Sequence, residues 1–164
     1  MTTRPSTSSG NLPIPIQLTG LTALVFFCLS AIDVYNLSRV LWINQEMIAS
    51  LDAGNLTQIG MPLAFSLVAC VVSVLAFVSL VFRSSRRAAL ISICYLFFLL
   101  ALLVVRLVGF VLIQSVRPLP PNFLAFAVGL RLLYGAWFIG LLVKVWPHYV
   151  ANAALNRVRP SEPK

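Results

Sequence analysis

Four long apolar runs, separated by short polar stretches, organise this chain. The first runs from about Gln17 to Leu41, opens LTGLTALVFFCLSAI and turns polar toward its far end at Asp33, Asn36 and Arg39. The second, about Pro62 to Phe82, carries no charge. The third, about Ala88 to Gln114, holds Arg106 within LLVVRLVGF, and the fourth, about Pro121 to Trp146, holds Arg131. A bilayer core about 30 Å thick needs roughly 20 helical residues at about 1.5 Å each, so every run is long enough to cross it. The pattern predicts an all-α integral membrane bundle with four transmembrane helices over 17–41, 62–82, 88–114 and 121–146. Pro62 and Pro121 are expected in first turns, where a missing N–H has no helical acceptor anyway.

Between the first two runs, WINQEMIASLDAGNLTQIG puts Ile43, Met47 and Leu51 at helical spacing. This predicts a short interfacial helix over about 42–53, anchored by Trp42 and capped by Gly54. The opening MTTRPSTSSGNLPIP is rich in Ser, Thr, Pro and Gly and has little to bury, so residues 1–16 are expected to be a disordered tail. The membrane domain then covers 17–149, followed by a basic cytoplasmic tail over 150–164. The first run is longer than the roughly 7–15 apolar residues of a secretory signal, so it is expected to be a retained helix.

Composition agrees: of 164 residues, 60% are hydrophobic and 10% charged, against about half and a quarter in a soluble domain. The net charge of +8 would suit nucleic acid, but its distribution points elsewhere. Arg83, Arg86 and Arg87 lie between the second and third runs with no acid. Arg157, Arg159 and Lys164 follow the fourth run against Glu162, and Lys144 adds to that side. The loop on the other side holds Glu46 and Asp52 without Lys or Arg, and the second loop there has only Arg117. The positive-inside rule then places both termini in the cytoplasm. No nucleic-acid partner is implied. Beyond orientation, the basic loop can hold anionic lipid headgroups at the membrane surface.

Helices associate in lipid through small residues and interhelical hydrogen bonds, because lipid is as apolar as the side chains. Ser66, Ala69, Cys70, Ser73, Ala76 and Ser79 form such a stripe on the second helix. Ala125 with Gly129 and Ala136 with Gly140 form small pairs on the fourth, expected to pack within the chain. Cys28, Cys70 and Cys94 lie inside predicted helices at spacings that suit neither a disulfide framework nor a soft-metal site, and the paired outward cysteines of four-helix thiol oxidases are missing. His148 is the single histidine, which excludes bis-histidine haem ligation within one chain. It sits with Trp146 and Tyr149 in a stretch that suits a membrane-edge anchor. No metal, cofactor or catalytic set is expected, and the chain is not expected to be an enzyme.

The unusual residues are charges inside the apolar runs. An arginine at mid-membrane costs roughly 2.5–3.5 kcal/mol on insertion scales, so it faces the bundle interior, pairs or snorkels. Asp33 falls about 24 Å beyond Gln17 and Arg106 about 27 Å beyond Ala88, on helices that both run outward. Arg131 lies about 15 Å in from Pro121, and its side chain leans back toward the outward end. Thr22, Ser30 and Asn36 share a stripe with Asp33, while Tyr95, Leu99, Leu102 and Gly109 share one with Arg106. These faces are expected to turn inward. They predict an outward-half cluster of Asp33 between Arg106 and Arg131, with Asn36 and Tyr134 as further hydrogen-bond partners. Two cations against one acid favour an anion: a lipid phosphate, a substrate carboxylate or a partner's acidic side chain. The simpler alternative is a cluster that fastens three helices, with the spare arginine snorkelling.

Trp146, Tyr149, Arg157 and Val158 resemble the closing W-x-x-Y and basic R-V of a domain-of-unknown-function family of small bacterial inner-membrane proteins. That resemblance implies four helices with cytoplasmic ends and no activity. Asp33 is similar in helix number to the single acid of small four-helix multidrug exporters, but it lies near the outward end. The expected function is an accessory or interaction role. The partners are the lipid bilayer with its anionic lipids, and either a different membrane protein or a second copy. The alternative is a small oligomeric transporter for an anionic or amphipathic substrate.

Overall fold

A computed structural model describes residues 12–50, 53–82, 87–116, 118 and 120–158. The elements in chain order are α1 (Ile14–Ile43), α2 (Gln45–Ala49), α3 (Ala53–Val81), α4 (Ala88–Val116) and α5 (Pro121–Val158), with no strand among the described residues. The spans Ile14–Ile43, Gly60–Val81, Ala88–Leu112 and Pro121–Leu155 are each long and apolar enough to cross a bilayer, which marks a multi-pass membrane protein.

Several boundaries differ from those read off the sequence. Helix α3 begins at Ala53 rather than at Pro62, and Pro62 lies inside it. A proline ends a helix when its lost hydrogen bond and ring clash are decisive, but spanning helices tolerate one because neighbouring groups satisfy the freed carbonyl. Gly54 is accordingly a first-turn residue and not a cap, and no described glycine has positive φ. The short helix expected over 42–53 is confined to Gln45–Ala49. Asn44 separates it from α1 while continuing the bonding, since the Asn44 and Ile48 amides donate to the Val40 and Asn44 carbonyls. Helix α5 runs through Pro147 to Val158, so the tail expected from residue 150 starts helical. Pro121 does open its helix as expected, and the preceding Pro120 carbonyl accepts the Leu124 amide at 3.0 Å. The predicted tail over 1–16 lies outside the described residues up to residue 11, and Ile14 to Ile16 already belong to α1.

The chain divides into two compact units, one of residues 20–82 and one of residues 1–19 with 83–164. In the first, α3 buries Ser66, Ala69, Ser73, Ala76 and Leu80. That alternating three- and four-residue step is the spacing of coiled-coil-like packing. The small stripe legible in the sequence is therefore a buried seam, with Leu80 completing it in place of the half-buried Ser79. Where this seam ends, Gly20 of α1 comes so close that an added Cβ would lie 3.6 Å from the Leu80 Cβ. Small residues permit that approach, which is what holds helices together in lipid.

In the second unit α4 and α5 pack against each other. An added Cβ at Gly135 would lie 3.1 Å from the Leu103 Cδ2, and Arg131 sits over the ring of Phe110. Moving down α5 from 135 to 131 thus means moving up α4 from 103 to 110, so the helices are antiparallel. The core contains Tyr95, Leu96, Leu99 and Leu102 of α4 and Phe138, Leu141 and Val145 of α5. Ser92 is fully buried there, and its hydroxyl has no hydrogen-bond partner. Opposite Phe138 on α5, the small pairs are not packed in the chain as expected. Ala125, Ala136 and Gly140 are exposed, and an added Cβ at Gly129 or Gly140 would meet nothing within 4 Å. The packing face of α5 is set by its large residues and by Gly135, which leaves these small ones on the far side.

Candidate functional site

The helical period places the charged residues relative to the packing. On α4, Tyr95, Leu99 and Leu102 are buried at alternating four- and three-residue steps, and the next positions of the same stripe are Arg106 and Gly109. On α5 the stripe of Val145, Leu141 and Phe138 continues to Tyr134 and Arg131. The α4 stripe expected to turn inward is buried through Leu102, the α5 stripe is buried back to Phe138, and then both open: Arg106 and Tyr134 are exposed, and Arg131 and Gly109 half-buried.

The register shows that both stripes open at one level. Counting in opposite directions from the contact of Leu103 with Gly135 sets Arg106 beside Leu132, about 1.5 Å along the axis from Arg131. At about 100° per residue, Arg106 is rotated about 60° from Leu103 and Arg131 about 40° from Gly135. In an antiparallel pair both rotations lead to the same side of the contact, the side that also carries Leu99 and Phe138. The two arginines therefore form one layer above a closed apolar floor, on the half of the hairpin nearer its loop.

Arg131 is held in a defined orientation. Its Nη1 donates to the Ala127 carbonyl at 3.0 Å, and its Cζ lies 4.6 Å from the centroid of the Phe110 ring. Ala127 is one turn closer to the helix N-terminus, so the side chain folds back in the expected direction. The backbone bond tethers one edge of the guanidinium, and the ring supports the group through cation–π attraction. Ala127 itself is buried, although Phe126 before it is exposed and Val128 after it only half-buried.

In residues 20–82, Thr22 and Ser30 of the α1 stripe are buried, Asp33 is half-buried and Asn36 is exposed. Asp33 falls where α1 passes from a buried to an open stripe, as Arg106 does on α4. At the other end of the hairpin Arg87 is exposed, and Trp146 and Tyr149 pair with ring centroids 5.9 Å apart. Arg157 lies at the end of α5, while Arg83, Arg86 and Arg159 lie outside the described residues. Phe110 is the residue that sequence reasoning missed. Its place one turn beyond Arg106 is readable in the sequence, but its approach to Arg131 follows only from the register of α4 against α5.

Among the described residues no group of His, Cys, Asp or Glu is arranged to hold a metal ion. The chain matches no family model, no curated protein and no solved structure.

Proposed function

We propose that this chain is an accessory protein of a bacterial inner membrane that binds lipid or a membrane-protein partner through a charged layer in the outward half of its spanning region. Their depth along the spans read from the sequence assigns Asp33, Arg106 and Arg131 to that layer, with Asn36 and Tyr134 as candidate hydrogen-bonding neighbours. One observation carries the reading: the buried stripe gives way at Asp33 on α1, at Arg106 on α4 and at Tyr134, one step before Arg131, on α5. Intramembrane charges are costly and are retained where they pair, face a cavity or bind. The arginine-rich connection before α4 supports a cytoplasmic position for both termini, and α2 then lies at the outward interface. The role is interaction and not catalysis.

Charge exchange tests it. Asp33→Arg alone is expected to lower membrane accumulation steeply, since an unpaired charge costs roughly 2.5–3.5 kcal/mol on insertion scales. Adding Arg106→Asp is expected to restore it. Failure of the double variant to recover, with each single variant defective, removes the proposed pairing. A second reading, a small oligomeric transporter for an anionic or amphipathic substrate, is favoured by the uncovered small face of Ala125, Gly129, Ala136 and Gly140 on α5. Native mass spectrometry from mild detergent separates the two, because the transporter reading requires self-association.

A further inference from the structure

We propose that Arg106 and Arg131 together hold the phosphate of an anionic phospholipid of the outward leaflet. The inference rests on reading the charged layer as a binding site and names its ligand. The two cations share one level and one side of the α4–α5 hairpin, so both can address a single anion. A guanidinium carries five N–H groups in a plane, more than the one carbonyl bonded by Arg131 can use, and the fork matches phosphate oxygens. The Ala127 carbonyl and the Phe110 ring restrict the Arg131 plane before any ligand arrives, which reduces the entropy cost of binding.

Depth and surroundings select a lipid over a soluble anion. The apolar span of α4 runs from Ala88 to Leu112. Taking its middle as the bilayer centre, Arg106 lies about 9 Å outward, with about 6 Å of hydrocarbon above it, a depth from which arginine snorkels to headgroups. Beside the layer, Val105 of α4 and Leu130 of α5, each next in sequence to an arginine, are exposed. A free anion would leave water to pass these side chains, whereas a phospholipid brings acyl chains that cover them as its phosphate meets the arginines.

The test uses the purified full-length chain in mild detergent, with native mass spectrometry after adding phosphatidylglycerol, phosphatidylcholine or inorganic phosphate. The wild type is expected to retain phosphatidylglycerol over phosphatidylcholine by about tenfold, the order of one charge-assisted hydrogen bond. Arg106→Gln and Arg131→Gln should each erase most of that preference, Arg131→Lys should keep part of it, and Lys144→Gln, more than three turns beyond Arg131 along α5, should leave it intact. The wild-type comparison stands even where a variant fails to fold. Equal retention of both lipids overturns the proposal, as does displacement by inorganic phosphate or capture of an acidic protein in place of lipid. The cluster reading fails separately. If the Asp33/Arg106 exchange does not recover accumulation while phosphatidylglycerol is still selected, the lipid site stands without the carboxylate. If the exchange recovers and no lipid is selected, the pairing stands and this site falls.

Discussion

The two halves of the α4–α5 hairpin follow the same helical spacing and reach opposite outcomes. Away from the loop, Leu99, Leu102, Phe138, Leu141 and Val145 occupy the stripes and are buried. Toward the loop, Arg106, Tyr134 and Arg131 occupy the same stripes and are exposed or half-buried, with burial resuming on α5 only at the small Ala127. Spacing determines which residues face the seam, and side-chain chemistry determines whether the seam can close. Aliphatic and aromatic groups interdigitate there, whereas a guanidinium must keep its N–H groups hydrogen-bonded, which close apolar packing on every side does not allow.

The closed half should show the largest effect of substitution. Phe138→Ala is expected to destabilise the chain by about 2 kcal/mol, less than the 3–5 kcal/mol typical of a water-soluble core, because the transfer share vanishes in lipid and the packing share remains. Ile139→Ala, at an exposed neighbouring position, should leave the melting temperature in detergent nearly unchanged. Similar losses at both positions would mean that the stripe is not the seam.

Much of this division was legible in the sequence. The four spans, the inward stripe of Tyr95, Leu99 and Leu102, and the small seam of α3 follow from apolar run length and helical period, which a bilayer enforces strictly because every backbone group must bond within its own segment. What escaped was governed by local compensation. Pro62 reads as a helix start and the fourth span as ending at Trp146, yet Pro62 and Pro147 both lie within helices. The small pairs of α5 read as packing contacts, yet a three- or four-residue step shows only that residues share a face and not which face is covered. Gly135, outside those pairs, makes the close approach instead. The support of Arg131 by Phe110 depends on the register between two helices, which neither helix encodes alone.

The boundary between the halves gives a sharper and smaller effect. Gly→Ala within a helix gains up to about 1 kcal/mol from backbone entropy where nothing obstructs the new methyl. Gly140→Ala, with open space around it, should realise that gain. Gly135→Ala should lose most of it, because the methyl would sit 3.1 Å from the Leu103 Cδ2 and that side chain must shift. The comparison is one of melting temperatures, and equal gains at the two positions would mean that α4 and α5 do not approach at Gly135.

The open half should respond least in stability and most in orientation. Phe110→Ala removes the ring beneath the Arg131 guanidinium, a contribution of about 0.5–2 kcal/mol depending on how dry the pair is. Phe110→Leu keeps much of the apolar bulk without the ring quadrupole, so any difference between the leucine variant and the wild type isolates the cation–π part. The bond from Arg131 to the Ala127 carbonyl survives in both variants, and the side chain should still fold back toward the loop while gaining freedom about its own plane. A fork that must be ordered on binding binds more weakly than one already fixed. Phosphatidylglycerol selectivity should therefore fall further than stability does in the leucine variant. If both fall in proportion, Phe110 acts only as filler, and the open half differs from the closed one in packing density alone.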